Sequence, residues 1–212
     1  MTFIPDLTVM VSFSIACFVL FITPGPDMSL FLAKTISGGR KAGIASLIGA
    51  EIGCTVHTVL AAFGVSALLH ASETAFLVLK IVGGLYLLWL AYNAIRKGSA
   101  FSVHEEKRVE ASFWKNVLTG IGINLANPKV VLFFVTFLPQ FVHTGDPHAT
   151  GKLFFLGIYF VVFSLPLSLL LIFAASKVIN LLHENPKVLR TMDYTFAGIF
   201  GAFAMKILTL AR

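Results

Sequence analysis

Charge is scarce in this sequence. Only 12% of its 212 residues are Asp, Glu, Lys or Arg, against 57% hydrophobic, and the mean hydropathy is +0.89. A soluble domain of this size carries more charge on its surface, so water is not the main solvent here. Cysteine is also sparse: Cys17 and Cys54 have no paired spacing and no nearby His that would make a metal site, and both read as packing inside apolar segments. His-Glu-x-x-His, Gly-x-Ser-x-Gly and Cys-x-x-Cys are missing, which argues against an intramembrane enzyme. No cofactor or metal is expected. Residues 1–10 lack the basic start of a secretory signal, so the first apolar run is expected to persist as a span. The formal charge of +6 does not imply nucleic acid, because the basic residues sit in short loops rather than on one interleaved face.

What is present is a succession of apolar runs. Crossing the roughly 30 Å hydrocarbon layer takes about 20 helical residues, and such runs fall near 7–34, 42–69, 75–95, 113–142, 153–175 and 194–210. The expected fold is an all-α membrane protein of six transmembrane helices, one transporter domain over 1–212. The only sizeable polar stretch, 96–110, is of mixed sign and reads as a solvated connection.

Short cytoplasmic loops carry the excess of Lys and Arg. Loop one holds Lys34, Arg40 and Lys41, loop three Arg96, Lys97, Lys107, Arg108 and Lys115, and loop five Lys177, Lys187 and Arg190. The even loops offer only Lys80 and Lys152 near their ends. Six spans place the three basic loops on one side, so both termini are predicted periplasmic. Trp89, Tyr92 and Trp114 flank loop three as interfacial aromatics do.

Spans one and four are interrupted. Thr23-Pro24-Gly25-Pro26-Asp27 lies inside the first and Asn124-Leu125-Ala126-Asn127-Pro128-Lys129 inside the fourth. Proline removes a backbone donor at a depth where water cannot replace it, so the freed carbonyls must face protein or a wet cavity. Each helix is expected to restart at its proline, Pro26 or Pro128, with Asn127 as an N-cap. A shift of 102 positions lays Pro26-Asp27-Met28-Ser29-Leu30-Phe31 over Pro128-Lys129-Val130-Val131-Leu132-Phe133, and Pro, Leu and Phe coincide. With three spans per half, the halves 1–98 and 111–212 insert upside down relative to each other, joined by a cytoplasmic loop at 96–112. Broken helices at matching positions of an inverted 3+3 repeat mark a transporter's midplane site; two unrelated proline kinks are the plainer alternative.

Asp27, Glu51 and Lys129 fall near the centres of their spans, where each ionisable group costs at least about 2.5 to 3.5 kcal/mol. Asp27 is favoured by the dipole of its restarted helix. Lys129 opposes its own, and therefore wants Asp27, Glu51 or a substrate carboxylate. The open amides of the restarted helix form an anion pocket, so Asn127 with Lys129 suits a carboxylate and Asp27 or Glu51 an ammonium. The candidate substrate site comprises Pro24, Gly25, Pro26, Asp27, Glu51, Asn124, Asn127, Pro128 and Lys129. Asp27, Glu51 and His57 are candidates for proton coupling, although a single buried His is also an ordinary packed polar group. Ala45, Gly49 and Gly53 form a small-residue seam for close helix packing, and Ser164, Pro166 and Ser168 suggest a kink re-satisfied by hydroxyls.

These residues resemble the LysE/RhtB family of bacterial amino-acid exporters. The likeness is carried by Thr23 to Asp27, the basic loop and Gly-rich second span from Gly38 to Gly53, the run Gly83 to Tyr92, Asn124 to Lys129, and Pro139-Gln140-Phe141. It implies efflux of homoserine, homoserine lactone, threonine or leucine-type substrates across the inner membrane by proton antiport. The expected partners are the amino-acid substrate and the lipid bilayer, with a homo-oligomer left open. An ion channel or cation transporter of related fold is the alternative, with Asp27, Glu51 and His57 lining the path; Lys129 would repel a bare cation.

Overall fold

A computed structural model describes residues 4–98, 112–142 and 146–210. All regular elements among them are helical: α1 (Leu7–Ile22), α2 (Pro26–Leu60), α3 (Ser66–Ala71), α4 (Glu73–Lys97), α5 (Phe113–Ala126), α6 (Pro128–Leu132), α7 (Ala149–Phe173), α8 (Ala175–Glu184) and α9 (Pro186–Leu210). A π-helical turn, Ala61–Val65, joins α2 to α3, and α6 runs on through π turns Phe133–Phe137 into a 3-10 turn, Leu138–Phe141. Among the described residues, three helices are long and apolar enough to cross a membrane, or four if the pair α5 and Pro128–Phe141, bent by 53°, is one span. The charged connection expected at 96–110 lies mostly outside the described residues.

Both breaks expected from the sequence are present. α1 ends at Ile22 and α2 restarts with Pro26 in its first turn; α5 ends at Ala126 and α6 restarts at Pro128. At 16 residues and about 1.5 Å each, α1 alone is too short for the hydrocarbon layer.

The expected basic loop near 34–41 is instead a tight turn within α2. Gly39 has φ +77°, a conformation only glycine adopts without cost, and the chain folds back there. Its two arms face each other: a Cβ on Gly43 would strike the Thr35 side chain, eight residues away, which in a straight helix would lie about 12 Å off. Loop five is also mostly helix. In α8, Ala175 and Leu182 are buried, with Val178 and Ile179 packed beside them, while Lys177 stays exposed. The last helix begins at Pro186, ahead of the expected 194, because its first turns carry Lys187 and Arg190 and so do not read as apolar.

The basic segments gather at one end. Arg40 sits over the Phe173 ring at 4.9 Å and shares a groove with Lys177. Arg190 Nη1 donates to Ala94 O at 3.3 Å at the end of α4, and α8 packs against α2, α7 and α9.

The small-residue seam is a packing seam. A Cβ on Gly49 would collide with Val117 O, and one on Gly120 with Ser46 O, so α2 and α5 meet backbone to backbone. Gly49→Leu is therefore expected to cost upwards of about 3 kcal/mol, the severe end of overpacking. Gly122, with nothing within 4 Å of its would-be Cβ, is expected to tolerate alanine. Thermal denaturation of the two purified variants in detergent checks this, and equal midpoints would contradict it.

Candidate functional site

Each break leaves groups that the other half satisfies. The last carbonyls of a helix lack intrahelical donors. At the end of α1, Thr23 turns its own hydroxyl back to Val19 O at 2.7 Å. Lys129 Nζ supplies two more donors from the other half, to Leu20 O at 2.9 Å and to Thr23 O at 2.7 Å. The lysine that opposes the dipole of α6 thus sits at the negative end of α1, where a cation is favoured. Gly25 makes room for it, because a Cβ there would approach Nζ to 3.1 Å and Cε to 3.3 Å.

The reciprocal contact runs the other way. Asp27, in the first turn of α2, accepts at Oδ2 from Asn124 Nδ2 and from Asn127 Nδ2, each at 3.0 Å. Asn127 also performs the expected capping, its Oδ1 accepting from Lys129 N at 3.1 Å. Asn124 reaches Asp27 because Gly53 leaves it space; a Cβ on Gly53 would lie 2.5 Å from Asn124 Oδ1. Asn124 additionally bonds the Cys54 thiol, Nδ2 to Sγ being 3.4 Å.

Beside this crossing lies a small cavity of about 60 Å³, lined by Asp27, Glu51, Asn124, Lys129, Ser164 and Ser168 among apolar residues. Glu51 Oε1 accepts from Ser164 Oγ at 3.1 Å. Two carboxylate oxygens, Asp27 Oδ1 and Glu51 Oε2, are buried with no hydrogen-bond partner. Unpaired buried carboxylate oxygens are costly, so a cavity that carries them is suited to a cation or a proton donor.

The cavity separates two apolar clusters. One includes Leu20, Cys54, Val130 and Phe160 with the aromatic core around Phe13, Phe133 and Phe137. The other, thinner, is built on Phe31, Leu47, Ala50, Leu171 and Ile172 near the Gly39 turn.

The LysE type translocator family matches residues 18–211. The chain belongs to that family. Among the translocator's relatives, a leucine efflux protein of Enterobacter sp. (strain 638) is 29% identical over 205 residues, covering 94% of each chain. A homoserine/homoserine lactone efflux protein of Salmonella typhimurium (strain LT2) is 26% identical over 182 residues, 86% of this chain and 87% of the relative. An uncharacterized membrane protein of Escherichia coli (strain K12), YahN, is 28% identical over 130 residues, where the match spans 61% of this chain and 58% of the relative. No solved structure matches the chain.

Of the residues singled out in the translocator's sequence, Asp27, Glu51, Asn124 and Lys129 meet at the cavity. Asn127 stands one hydrogen bond behind, and Gly25 and Pro26 shape the break. Pro24 is buried within that break, and Pro128 opens α6. His57 does not line the cavity; it stacks on Phe134 with centroids 5.6 Å apart, its Nε2 3.5 Å from Asn124 O. Lys129 departs from expectation, since its hydrogen bonds go to main-chain carbonyls rather than a carboxylate. Neither Cys54 as a wall residue nor Ser164 as the partner of Glu51 was foreseen from the sequence. Ser164 bonds back to Val161 O at 3.1 Å, whereas the carbonyl that Pro166 deprives of its donor is that of Val162, and the reach of Ser164 across to α2 has no local sequence signal.

Proposed function

We propose that this translocator exports an α-amino acid across the bacterial inner membrane in exchange for protons, binding it in the cavity between the two breaks. The observation that carries this reading is the pair of unpartnered oxygens, Asp27 Oδ1 and Glu51 Oε2, in a cavity that Lys129 also lines. A substrate ammonium fits the carboxylates. Two of the three Lys129 donors are spent on carbonyls, which leaves one for a substrate carboxylate. Asp27, Glu51, Asn124, Asn127 and Lys129 form the binding constellation, with Pro24, Gly25, Pro26 and Pro128 setting its geometry.

Antiport follows if the same carboxylates hold either a substrate ammonium or protons, so loading one releases the other. His57, in touch with Asn124 and through it with Asp27, is the candidate relay. The halves 1–98 and 111–212 are inverted repeats of three crossing segments each: the chain through the first break, the stretch after Gly39 or its counterpart α7, and α4 or α9. The reciprocal contacts at the breaks support this pairing. The basic end faces the cytoplasm and both termini the periplasm. The apolar clusters on either side of the cavity would serve as the two gates.

The test loads cells expressing the protein with single amino acids and follows outward flux. Saturable efflux above the empty-vector level, lost when a protonophore collapses the gradient, is expected. Efflux no faster than the control for every amino acid rejects the reading.

A further inference from the structure

We infer that the groove between the Gly39 turn of α2 and the corner of α7 and α8 binds an anionic phospholipid. Arg40, Ser176 and Lys177 hold the headgroup phosphate, and Ile36, Leu170 and Phe173 carry the start of the acyl chains. The site is separate from the cavity at the breaks and does not depend on what the translocator exports.

Space and charge both favour this occupant. The groove holds about 610 Å³, against about 60 Å³ in the cavity at the breaks. Arg40 and Lys177 are exposed on its wall, and its described lining residues include no Asp or Glu. Neither cation meets a carboxylate among the described residues. The Arg40 guanidinium is held over the Phe173 ring at 4.9 Å. Stacking engages the face of a guanidinium, while its N–H donors point outward in the plane of the group, where they suit phosphate oxygens.

The apolar residues set the kind of anion. Leu170 and Phe173 close α7 and Lys177 lies in the first turn of α8, so the lining passes from apolar to cationic within about two helical turns. On the other wall Ile36 precedes Arg40 by four residues, beside the reversal at Gly39. Ile36, Leu170 and Phe173 are 43%, 66% and 54% exposed. A soluble phosphate would leave that surface in water, whereas a phospholipid covers it with chain as its phosphate meets the cations. Basic pockets between helices at a membrane surface take anionic headgroups for this reason. Arg40 belongs to the first half of the chain and Lys177 to the second, and Ile172 and Ala175 of the thin cluster line the groove as well. A lipid seated there ties the two halves together across that cluster.

The test is native mass spectrometry of the full chain in detergent, titrated with dioleoyl phosphatidylglycerol or dioleoyl phosphatidylcholine. The wild type is expected to bind phosphatidylglycerol about tenfold or more tightly than phosphatidylcholine. Each cation beside an anionic headgroup is worth about fivefold in affinity, so Arg40→Gln/Lys177→Gln is expected to weaken phosphatidylglycerol binding about 30-fold. Ser176→Glu adds a carboxylate to the groove in the first turn of α8, where the helix dipole favours one. It is expected to fold and to lose the preference, and it decides the matter should the double variant not fold. Lys115→Gln/Lys187→Gln removes two exposed cations outside the groove and is expected to keep wild-type binding.

Equal binding of the two lipids by the wild type would overturn the site. Equal losses in the two double variants would overturn it too, by showing general charge attraction, and so would a preference that survives Ser176→Glu. Glycerol 3-phosphate bound as tightly as phosphatidylglycerol would overturn the lipid in favour of a soluble phosphate.

Discussion

Lys129→Met is expected to reduce outward flux by about 100-fold or more, the equivalent of about 2.7 kcal/mol in the rate-limiting barrier, and to lower thermal stability as well. Methionine keeps the stem that packs against Gly25 and removes only the ammonium. Two consequences follow from its bonds. The carbonyls of Leu20 and Thr23 lose their donor, and buried groups left unpaired cost about 1 to 3 kcal/mol each. The cavity also loses Lys129, the one cation among its described lining residues, which leaves Asp27 and Glu51 without that positive charge beside them. The measurement is counterflow in proteoliposomes together with size-exclusion profiles before and after heating. Near-normal flux in Lys129→Met would sink the assignment. A stable, monodisperse but silent variant would show that the ammonium acts on substrate more than on the α1 terminus.

The same lysine shows how far the sequence could be read. The breaks were legible because proline and glycine at span depth interrupt the helical ladder wherever they fall together, and Asn127 before Pro128 matches a capping position. The seam was legible because Ala45, Gly49 and Gly53 repeat every four residues. Opposition to the dipole of its own helix marks Lys129 as a residue in need of a partner, but the partner is backbone, and carbonyls carry no sequence label. Long-range side-chain pairs were likewise hidden: Ser164 with Glu51 and Asn124 with Asp27 are 113 and 97 residues apart. Gly39 was hidden for the opposite reason, because a basic run between apolar segments reads as a loop even where a single glycine suffices to reverse the chain. The α8 helix was obscured by its charges, although its apolar residues follow a helical period.

Asp27→Asn and Asp27→Ala are expected to separate transport from architecture. In Asp27→Asn the amide oxygen can take the place of Oδ2 and still accept from Asn124 and Asn127, so the crossing of the breaks is preserved. Its amide nitrogen then occupies the position of Oδ1, the buried oxygen without a partner. A cation-accepting corner thereby becomes a donor that repels an ammonium. Flux should fall about 100-fold or more, with a melting temperature close to wild type. In Asp27→Ala the Asn127 amide loses its acceptor, at about 1 to 3 kcal/mol, and the Asn124 amide keeps only its bond to the Cys54 thiol. That variant should be both silent and markedly less stable. If Asp27→Asn transports normally, the carboxylate is not the ammonium site. If the two variants melt together, Asp27 does not hold the two breaks in register.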